Sequence, residues 1–258
     1  MNHYFIHTVK AEWIKKRRSF ADWLVLAGGF FVPLLLIIIL ICFPKQLLSI
    51  HASGHFWEQV FDKAWQMMAF MLLPMGIVLA VSLVVQIEFR NNSWKQVHTS
   101  PVPFASIYFS KLLVLLVMLL QLFLLFNIGI FLAGMIPSLL NSHTKFPAYT
   151  VNHVFFLERN LHYFITCLPM VALQYMLSLK FKNFLVPIGA GLALTTGALI
   201  ALSWKYIYMI PSSYTALYYL QSNKSVPPAH NLLLWSLGYF VFFSLLGYWL
   251  YVSGKEKG

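Results

Sequence analysis

Two histidines stand at a spacing that could bind a metal ion. His51 and His55 are four residues apart, and Glu58 and Asp62 follow them. On a helix this spacing places the side chains on one face, as a metal site requires. The sequence fixes no third ligand, and a solvated polar helix accounts for the pattern more simply. We therefore expect no metal site and no cofactor in this chain.

Motifs for nucleotide or hydrolytic chemistry are absent from the sequence. The Gly254-Lys255 pair is followed by Glu256, so no GxxxxGK[ST] phosphate loop occurs, and there is no HExxH or GxSxG pattern. The two cysteines, Cys42 and Cys167, lie inside apolar stretches and are expected to pack as small hydrophobes. The chain is not expected to be an enzyme or to hydrolyse ATP.

The composition of the chain is far from that of a soluble domain. Of 258 residues, 60% are hydrophobic, 17% are aromatic and only 10% are charged. In a soluble domain, about a quarter of the residues are charged. The apolar residues form long blocks, and a helix needs about 20 of them to cross a bilayer. The blocks predict an all-α membrane protein with six transmembrane helices within 23–252, at 23–43, 65–85, 112–136, 161–179, 184–203 and 232–252.

The distribution of basic residues predicts the orientation. Counted over the termini and the connections 86–111 and 180–183, Lys and Arg number twelve, against six in the loops 44–64, 137–160 and 204–231. The positive-inside rule therefore places both termini, including the tail 253–258, in the cytoplasm. The net charge of +11 then has a topological use, and we expect no nucleic acid as a partner.

The N-terminal segment 1–22 has the pattern of an interfacial amphipathic helix. Apolar residues stand against the basic run that begins at Lys15, which suits an anionic membrane surface and predicts contact with membrane lipids. The simpler alternative is that the basic run only sets the topology. The apolar residues are Tyr4, Phe5, Val9, Trp13 and Ile14.

Inside the spans, the sequence offers few groups for a transport path or a reaction. No ionisable residue falls in a central turn, which disfavours ion-coupled transport. Gln121, Asn127 and Gln174 could line a path, although interhelical hydrogen bonds explain them more simply. A membrane-embedded enzyme would have to use four residues that the topology places on opposite sides of the bilayer, namely His98, His153, Glu158 and His162.

The cytoplasmic loop 86–111 is longer and more structured than a simple connection. Pro101 and Pro103 interrupt any continuous helix, so a short helix at 91–98 must turn before the third span. Trp94 and Val97 would offer an apolar contact to a partner protein, although Trp94 could also be an ordinary interfacial aromatic.

Residues in and around this loop resemble a known family. Glu88, Ser93-Trp94, Thr99-Ser100-Pro101-Val102 and Ser110-Lys111 resemble the signature of ABC-2 type transporter permeases. Asn92 and Ser93 stand where that signature has Gly-Thr. The opening AEWIKKRRSFADWLVL is similar to the bacteriocin and lantibiotic immunity branch.

The resemblance implies a transporter of several subunits in the bacterial cytoplasmic (inner) membrane. Two permease chains, identical or related, would work with separate ABC ATPase subunits that bind ATP and magnesium. The loop would dock in the ATPase, with Pro101 setting its bend. The implied coupling residues are Glu88, Arg90, Trp94, Val97, Thr99, Pro101 and Lys111.

Small residues on the fifth span favour close helix packing. Gly189, Ala193, Gly197 and Ala201 recur every four residues and form one stripe. The stripe could pack within the chain or across a homodimer. In the family the first and fifth spans lie near the dimer axis, which brings in Gly28 and Gly29.

The cargo follows only broadly from the sequence. Walls rich in Phe, Leu and Met suit a hydrophobic or amphipathic substrate, such as a peptide antibiotic or a lipid. Export of such a substrate is therefore the favoured function, and export of a peptide antibiotic would give resistance. A membrane scaffold or sensor that transports nothing is the alternative, and copurification of an ATPase would separate the two.

Overall fold

The computed structural model describes residues 2–17, 19–52, 54–90, 102–140, 151–181, 183–223 and 231–253, and within them every regular element is a helix. The all-α prediction is confirmed. The α-helices are α1 Asn2–Lys16, α2 Phe20–Cys42, α3 Pro44–Ala52, α4 Phe56–Met67, α5 Leu73–Arg90, α6 Phe104–Leu140, α7 His153–Lys180, α8 Leu185–Ile200, α9 Tyr214–Ser222 and α10 Leu232–Ser253. A π-helix, Met68–Leu72, joins α4 to α5.

Six of the helical units are long and apolar enough to cross a membrane. This confirms the six spans expected from the apolar blocks. We number the spans in chain order: Phe20–Cys42, Phe56–Ile87, Phe104–Leu140, His153–Lys180, Leu185–Ser203 and Leu232–Ser253.

The helices continue beyond the apolar stretches that predict them. Span three has 37 residues, about 55 Å at 1.5 Å per residue, whereas the hydrocarbon core is about 30 Å thick. Its ends therefore extend outside the core. The segments 86–111 and 137–160, expected as loops, are helical up to Arg90 and Leu140 and again from Phe104 and His153.

Local caps separate the N-terminal helix from span one. The hydroxyl of Ser19 accepts a hydrogen bond from the backbone N–H of Asp22 at 3.4 Å, as an N-cap residue does. The chain thus ends one helix at Lys16 and starts the next at Phe20. Asn152 caps span four in the same way, accepting from the N–H of Phe155 at 3.1 Å.

Spans one and three pack closely because two glycines remove side chains from their contact. A methyl group on Gly129 would lie 2.5 Å from Cγ of Pro33, and one on Gly29 would lie 2.8 Å from Cβ of Leu125. Small residues at such crossings let helix backbones approach each other in lipid. Gly29 is thus used within this chain, on the face of span one that meets span three.

An aromatic cluster fills the space between spans two, three and four. The rings of Trp65 and Tyr163 stack in parallel with centroids 3.6 Å apart, and both side chains are buried. Phe126 of span three meets the Trp65 ring edge-on at 5.1 Å. Aromatic contacts of this kind add to the packing energy of the buried area itself.

Close packing at Gly129 gives a stability test. Gly129→Leu should lower the unfolding free energy by about 1–3 kcal/mol, as overpacking does, because its side chain would collide with the Pro33 ring. Gly238→Leu is the matched control, since a Cβ on Gly238 meets nothing within 4 Å. The measurement is unfolding of both purified variants in one detergent. Equal stability of the two variants would contradict the described contact.

Candidate functional site

Lys111, one residue of the predicted coupling set, is buried beneath the N-terminal helix. Its side chain is 2% exposed, and its Nζ lies 3.7 Å from Oε2 of Glu12. Glu12 is also paired with Lys15, whose Nζ is 2.6 Å from Oε1. A lysine withdrawn from water needs such a partner to remain charged. Lys111 therefore binds α1 to the start of span three.

Lys16 makes a second contact between the same two helices. Its side chain is 2% exposed, and its Nζ lies 2.6 Å from Oδ1 of Asp22 and 2.9 Å from Oε1 of Gln121. The ammonium group also lies 4.2 Å from the ring centroid of Trp13. Gln121 thus anchors α1 to span three, although the sequence suggested it for a transport path.

These contacts form one group, which we call the N-terminal polar cluster. Lys111 and Gln121 are ten residues apart on span three, about 15 Å along the helix, so α1 is attached at two separate heights. The exposed side of α1 carries apolar residues such as Ile6 and Ile14. The cluster comprises Glu12, Lys15, Lys16, Asp22, Lys111 and Gln121.

The start of span three is also bound on its other side. Tyr108 donates its hydroxyl to the backbone oxygen of Ser244 in span six at 3.0 Å. Tyr175 of span four donates to the backbone oxygen of Tyr108 at 3.0 Å. Gly247 makes room for this contact, because a Cβ there would lie 2.6 Å from the Tyr108 hydroxyl. One turn of span three therefore links α1 with spans four and six.

The other predicted coupling residues are only partly described. Glu88 and Arg90 fall in the last turn of α5, and their side chains lie outside the described residues. Trp94, Val97, Thr99 and Pro101 also lie outside them, so their role as a docking surface stays a prediction.

Asn127 and Gln174, the other candidate path residues, form interhelical hydrogen bonds. Asn127 and Asn160 exchange two amide hydrogen bonds, each 2.9 Å long, between spans three and four. Gln174 donates from Nε2 to the hydroxyl of Ser82 at 2.8 Å and to the backbone oxygen of Pro187 at 2.9 Å. These contacts join spans two, four and five. They support the simpler alternative for both residues.

The small-residue stripe lies on the outward face of span five. Gly189 and Gly197 are exposed, and an added Cβ on either meets nothing within 4 Å. The inward face instead uses Gly191, where a Cβ would lie 2.5 Å from Oε1 of Gln174. Within the described chain these two glycines therefore have no packing partner, whereas Ala201 at the end of the stripe packs against the buried cluster that contains Tyr214. Gly28 is different, because its added Cβ would meet Leu122 at an ordinary 3.7 Å.

On the opposite side of the bundle, residues 207–222 pack into the gap between spans; we call them the inserted segment. Thr215 donates its hydroxyl to the backbone oxygen of Ala69 at 2.8 Å. Ala69 lies in the π-helix of span two, where the wider i→i+5 pattern leaves a carbonyl for another donor. Ser212 donates to the backbone oxygen of Leu194 in span five at 3.0 Å. The segment predicted as a loop therefore holds spans two and five together.

The aromatic residues of this region do not share one environment. Tyr214 is fully buried, whereas Tyr206 is 42% exposed. Tyr218 stacks on His162 at 5.2 Å. The aromatic residues of this region are thus divided between the protein interior and its surface.

The histidines considered for metal binding make other contacts. Nε2 of His51 lies 3.1 Å from the hydroxyl of Ser138, and burial lowers the pKa of His51, which favours the neutral ring. Nδ1 of His55 lies 3.2 Å from Oε2 of Glu58. Within the described ranges, no group of three His, Cys, Asp or Glu residues could hold a metal ion.

Comparison with known families identifies the family of this chain. The sequence model described as "ABC-2 family transporter protein" matches residues 8–198. The chain belongs to the ABC-2 transporter family. The match includes the N-terminal polar cluster and ends on span five, before the inserted segment. No curated protein and no solved structure matches the sequence.

In this ABC-2 family protein, sequence reasoning missed Glu12, Lys16 and Asp22 as a connected set. A signal was present, because two of only 7 acidic residues flank the basic run of the N-terminal segment. Such spacing allows ion pairs as well as a topology signal. Thr215 gave no comparable signal, since its partner is a backbone carbonyl.

The buried Lys16 contact predicts a large stability effect. Lys16→Met should lower the unfolding free energy by about 1–3 kcal/mol, because it removes the buried ammonium group that contacts Asp22 and Gln121. Arg17→Met is the matched control on an exposed neighbour. Thermal or denaturant unfolding in detergent measures both. Similar losses of unfolding free energy in the two variants would contradict the predicted contribution of the buried Lys16 contacts to stability.

The Thr215 hydrogen bond predicts a local effect. Thr215→Val should leave the Ala69 carbonyl without its donor, at a cost of about 1–3 kcal/mol, and increase amide hydrogen exchange in the inserted segment. Thr196→Val, at an exposed threonine on span five, is the control and should leave exchange unchanged. Unaltered exchange in Thr215→Val would contradict the proposed attachment.

Proposed function

We propose that this chain is the transmembrane permease subunit of an ATP-driven exporter with a separate ATPase subunit. The observation that carries the proposal is the ABC-2 family match over residues 8–198, which includes the buried contacts beside the cytoplasmic loop. The chain has no phosphate loop of its own. ATP and magnesium would therefore bind in the partner.

Contacts around the loop suggest how a partner would act on the permease. The loop joins α5, which ends at Arg90, to span three, which begins at Phe104. Lys111 and Tyr108 then connect that start of span three to α1 and to spans four and six. A force applied to the loop would thus reach several helices at once, with Trp94 and Val97 as the anchor in the ATPase.

The excess of Lys and Arg supports an orientation with both termini in the cytoplasm of a bacterial cell. The N-terminal polar cluster then lies at the inner face, where an ATPase works. The inserted segment lies at the outer face. Exposed apolar residues of α1, Tyr4, Ile6, Trp13 and Ile14, would contact lipid at the inner surface.

The cargo that fits is hydrophobic or amphipathic. The amide of Asn127 and the NH2 group of Gln174 are occupied by interhelical hydrogen bonds, and Gln174 is fully buried, so both residues are poor candidates for binding a polar substrate. The N-terminal sequence similarity to the immunity branch favours a peptide antibiotic, and export of it would give resistance.

Two copies of the permease are expected to meet along span five. The stripe of small residues is exposed and open at Gly189 and Gly197, and such stripes allow close contact of helices in lipid. We therefore place the stripe at a homodimer interface.

Trp94→Ala tests the docking surface. The variant should insert normally and lose the stimulation of ATPase activity in the reconstituted complex, because the packed anchor is removed. Trp204→Ala, an exposed tryptophan of the outer face, is the control and should retain it. Full stimulation in Trp94→Ala would contradict the docking role. Failure of any ATPase to copurify with the unaltered chain would instead favour a scaffold or sensor.

Gly197→Cys tests the dimer interface. In a Cys42→Ser background, which removes an exposed native thiol, Gly197→Cys should form a disulfide-linked dimer in membranes. Thr195→Cys is the control, because Thr195 is buried on the inward face of the same helix. The readout is a non-reducing gel. Equal crosslinking of both variants, or none from Gly197→Cys, would count against the interface.

A further inference from the structure

A deep groove separates spans one and two, with span three as its floor. Its volume is about 580 Å³, and every residue that lines it is apolar. The walls include Trp23 and Phe31 on span one and Met75 and Gly76 on span two. None of the interhelical hydrogen bonds described above involves these residues. The groove is therefore suited to an apolar ligand.

The two walls of the groove differ in length. Its lining on span one runs from Phe20 to Phe31 and on span two from Met68 to Val81. At 1.5 Å per residue these are about 16 Å and 20 Å. The hydrocarbon core is about 30 Å thick, so each leaflet contributes about half of that. On span one the groove covers about one leaflet, starting at the end that adjoins α1, and on span two it reaches the π-helix at Met68.

The open end of the groove has the charge that a lipid phosphate needs. Phe20 and Trp23 are 72% and 65% exposed there, and exposed Arg17 precedes Phe20 by three residues. The nearby acid, Asp22, is neutralised by Lys16 at 2.6 Å. Arginine is well suited to phosphate oxygens, and basic residues at this depth attract anionic lipid.

The form of the walls favours an alkyl chain over a second copy of the protein. Helix association in lipid uses small residues that allow backbones to approach. Span five presents such residues along one exposed face, whereas Gly28 and Gly76 of the groove lie on its two opposite walls. The groove is instead concave and lined in part by Met68, Met75 and Met118. Methionine side chains are flexible and adapt to a ligand of irregular shape.

We propose that the groove binds one acyl chain of an anionic phospholipid from the leaflet next to α1, with its phosphate at Arg17. Such a lipid would fill the space between spans one and two while span three closes the rear. This site does not depend on the proposed transport function, and it can be tested with the permease chain alone.

Photolabelling of the full-length chain tests the site. The chain is reconstituted in phosphatidylethanolamine–phosphatidylglycerol vesicles that contain a phosphatidylglycerol with a diazirine on its acyl chain. We expect labelling of peptides from residues 20–31 and 68–81. Gly76→Phe should reduce it several-fold, because an added Cβ at Gly76 meets nothing within 4 Å and the ring can fill the groove.

Two further variants keep the result interpretable. Gly238→Phe also enters open space, but Gly238 is not among the groove residues, so its labelling should equal that of the unaltered chain. Gly28→Leu narrows the groove from the opposite wall, where a Cβ makes only an ordinary 3.7 Å contact, and should also reduce labelling. This variant replaces Gly76→Phe in the test if Gly76→Phe does not fold. Unchanged labelling in a folded groove variant would overturn the proposal. The proposal would also be overturned if the groove of the unaltered chain is not labelled and Gly76→Phe prevents dimer formation. That result would assign the groove to a second copy of the chain.

Arg17→Gln tests the position of the phosphate. It should reduce labelling by the phosphatidylglycerol probe several-fold and leave labelling by a diacylglycerol probe with the same acyl chain unchanged, because diacylglycerol has no phosphate. An equal change with both probes, or no change with either, would overturn the assignment of the phosphate to Arg17.

Discussion

The need of a buried ammonium group for a countercharge constrains the N-terminal half of the structure. Lys16 and Lys111 are each only 2% exposed, and removing a charge from water is strongly unfavourable unless a partner is close. Asp22 and Glu12 are those partners. The Glu12–Lys111 pair and the hydrogen bond from Lys16 to Gln121 form only when α1 lies against span three, whereas the Lys16–Asp22 pair joins α1 to span one. These polar contacts thus fix α1 against spans one and three.

Span two connects the two ends of the molecule where specific contacts concentrate. Its C-terminal end leads at Arg90 into the loop proposed to dock on an ATPase. Near its other end, the π-helix presents the Ala69 carbonyl to Thr215 of the inserted segment. Between these points, Ser82 accepts a hydrogen bond from Gln174, and Met75 and Gly76 line the groove between spans one and two. Movement of span two would therefore affect the loop, the groove and the inserted segment together.

The sequence predicts the spans well because length and hydrophobicity alone decide which helices can cross a membrane. It predicts the polar contacts poorly, since a basic run such as Lys15–Lys16 has the same appearance whether it faces water or a buried acid. The stripe on span five shows a related limit. Its spacing fixes one face of the helix at Gly189 and Gly197, but only the fold shows that this face points outward and that Gly191 makes the inner contact.

A double-mutant cycle on Glu12 and Lys111 tests the central claim most directly. Glu12→Lys and Lys111→Glu should each destabilise the chain, and the double reversal should recover much of the loss, because it restores one acid between two lysines at the site. Residues in contact show coupling of about 0.5–3 kcal/mol, whereas independent sites add within about 0.5 kcal/mol. Unfolding free energies that show such coupling would support the account. Strictly additive losses would contradict it.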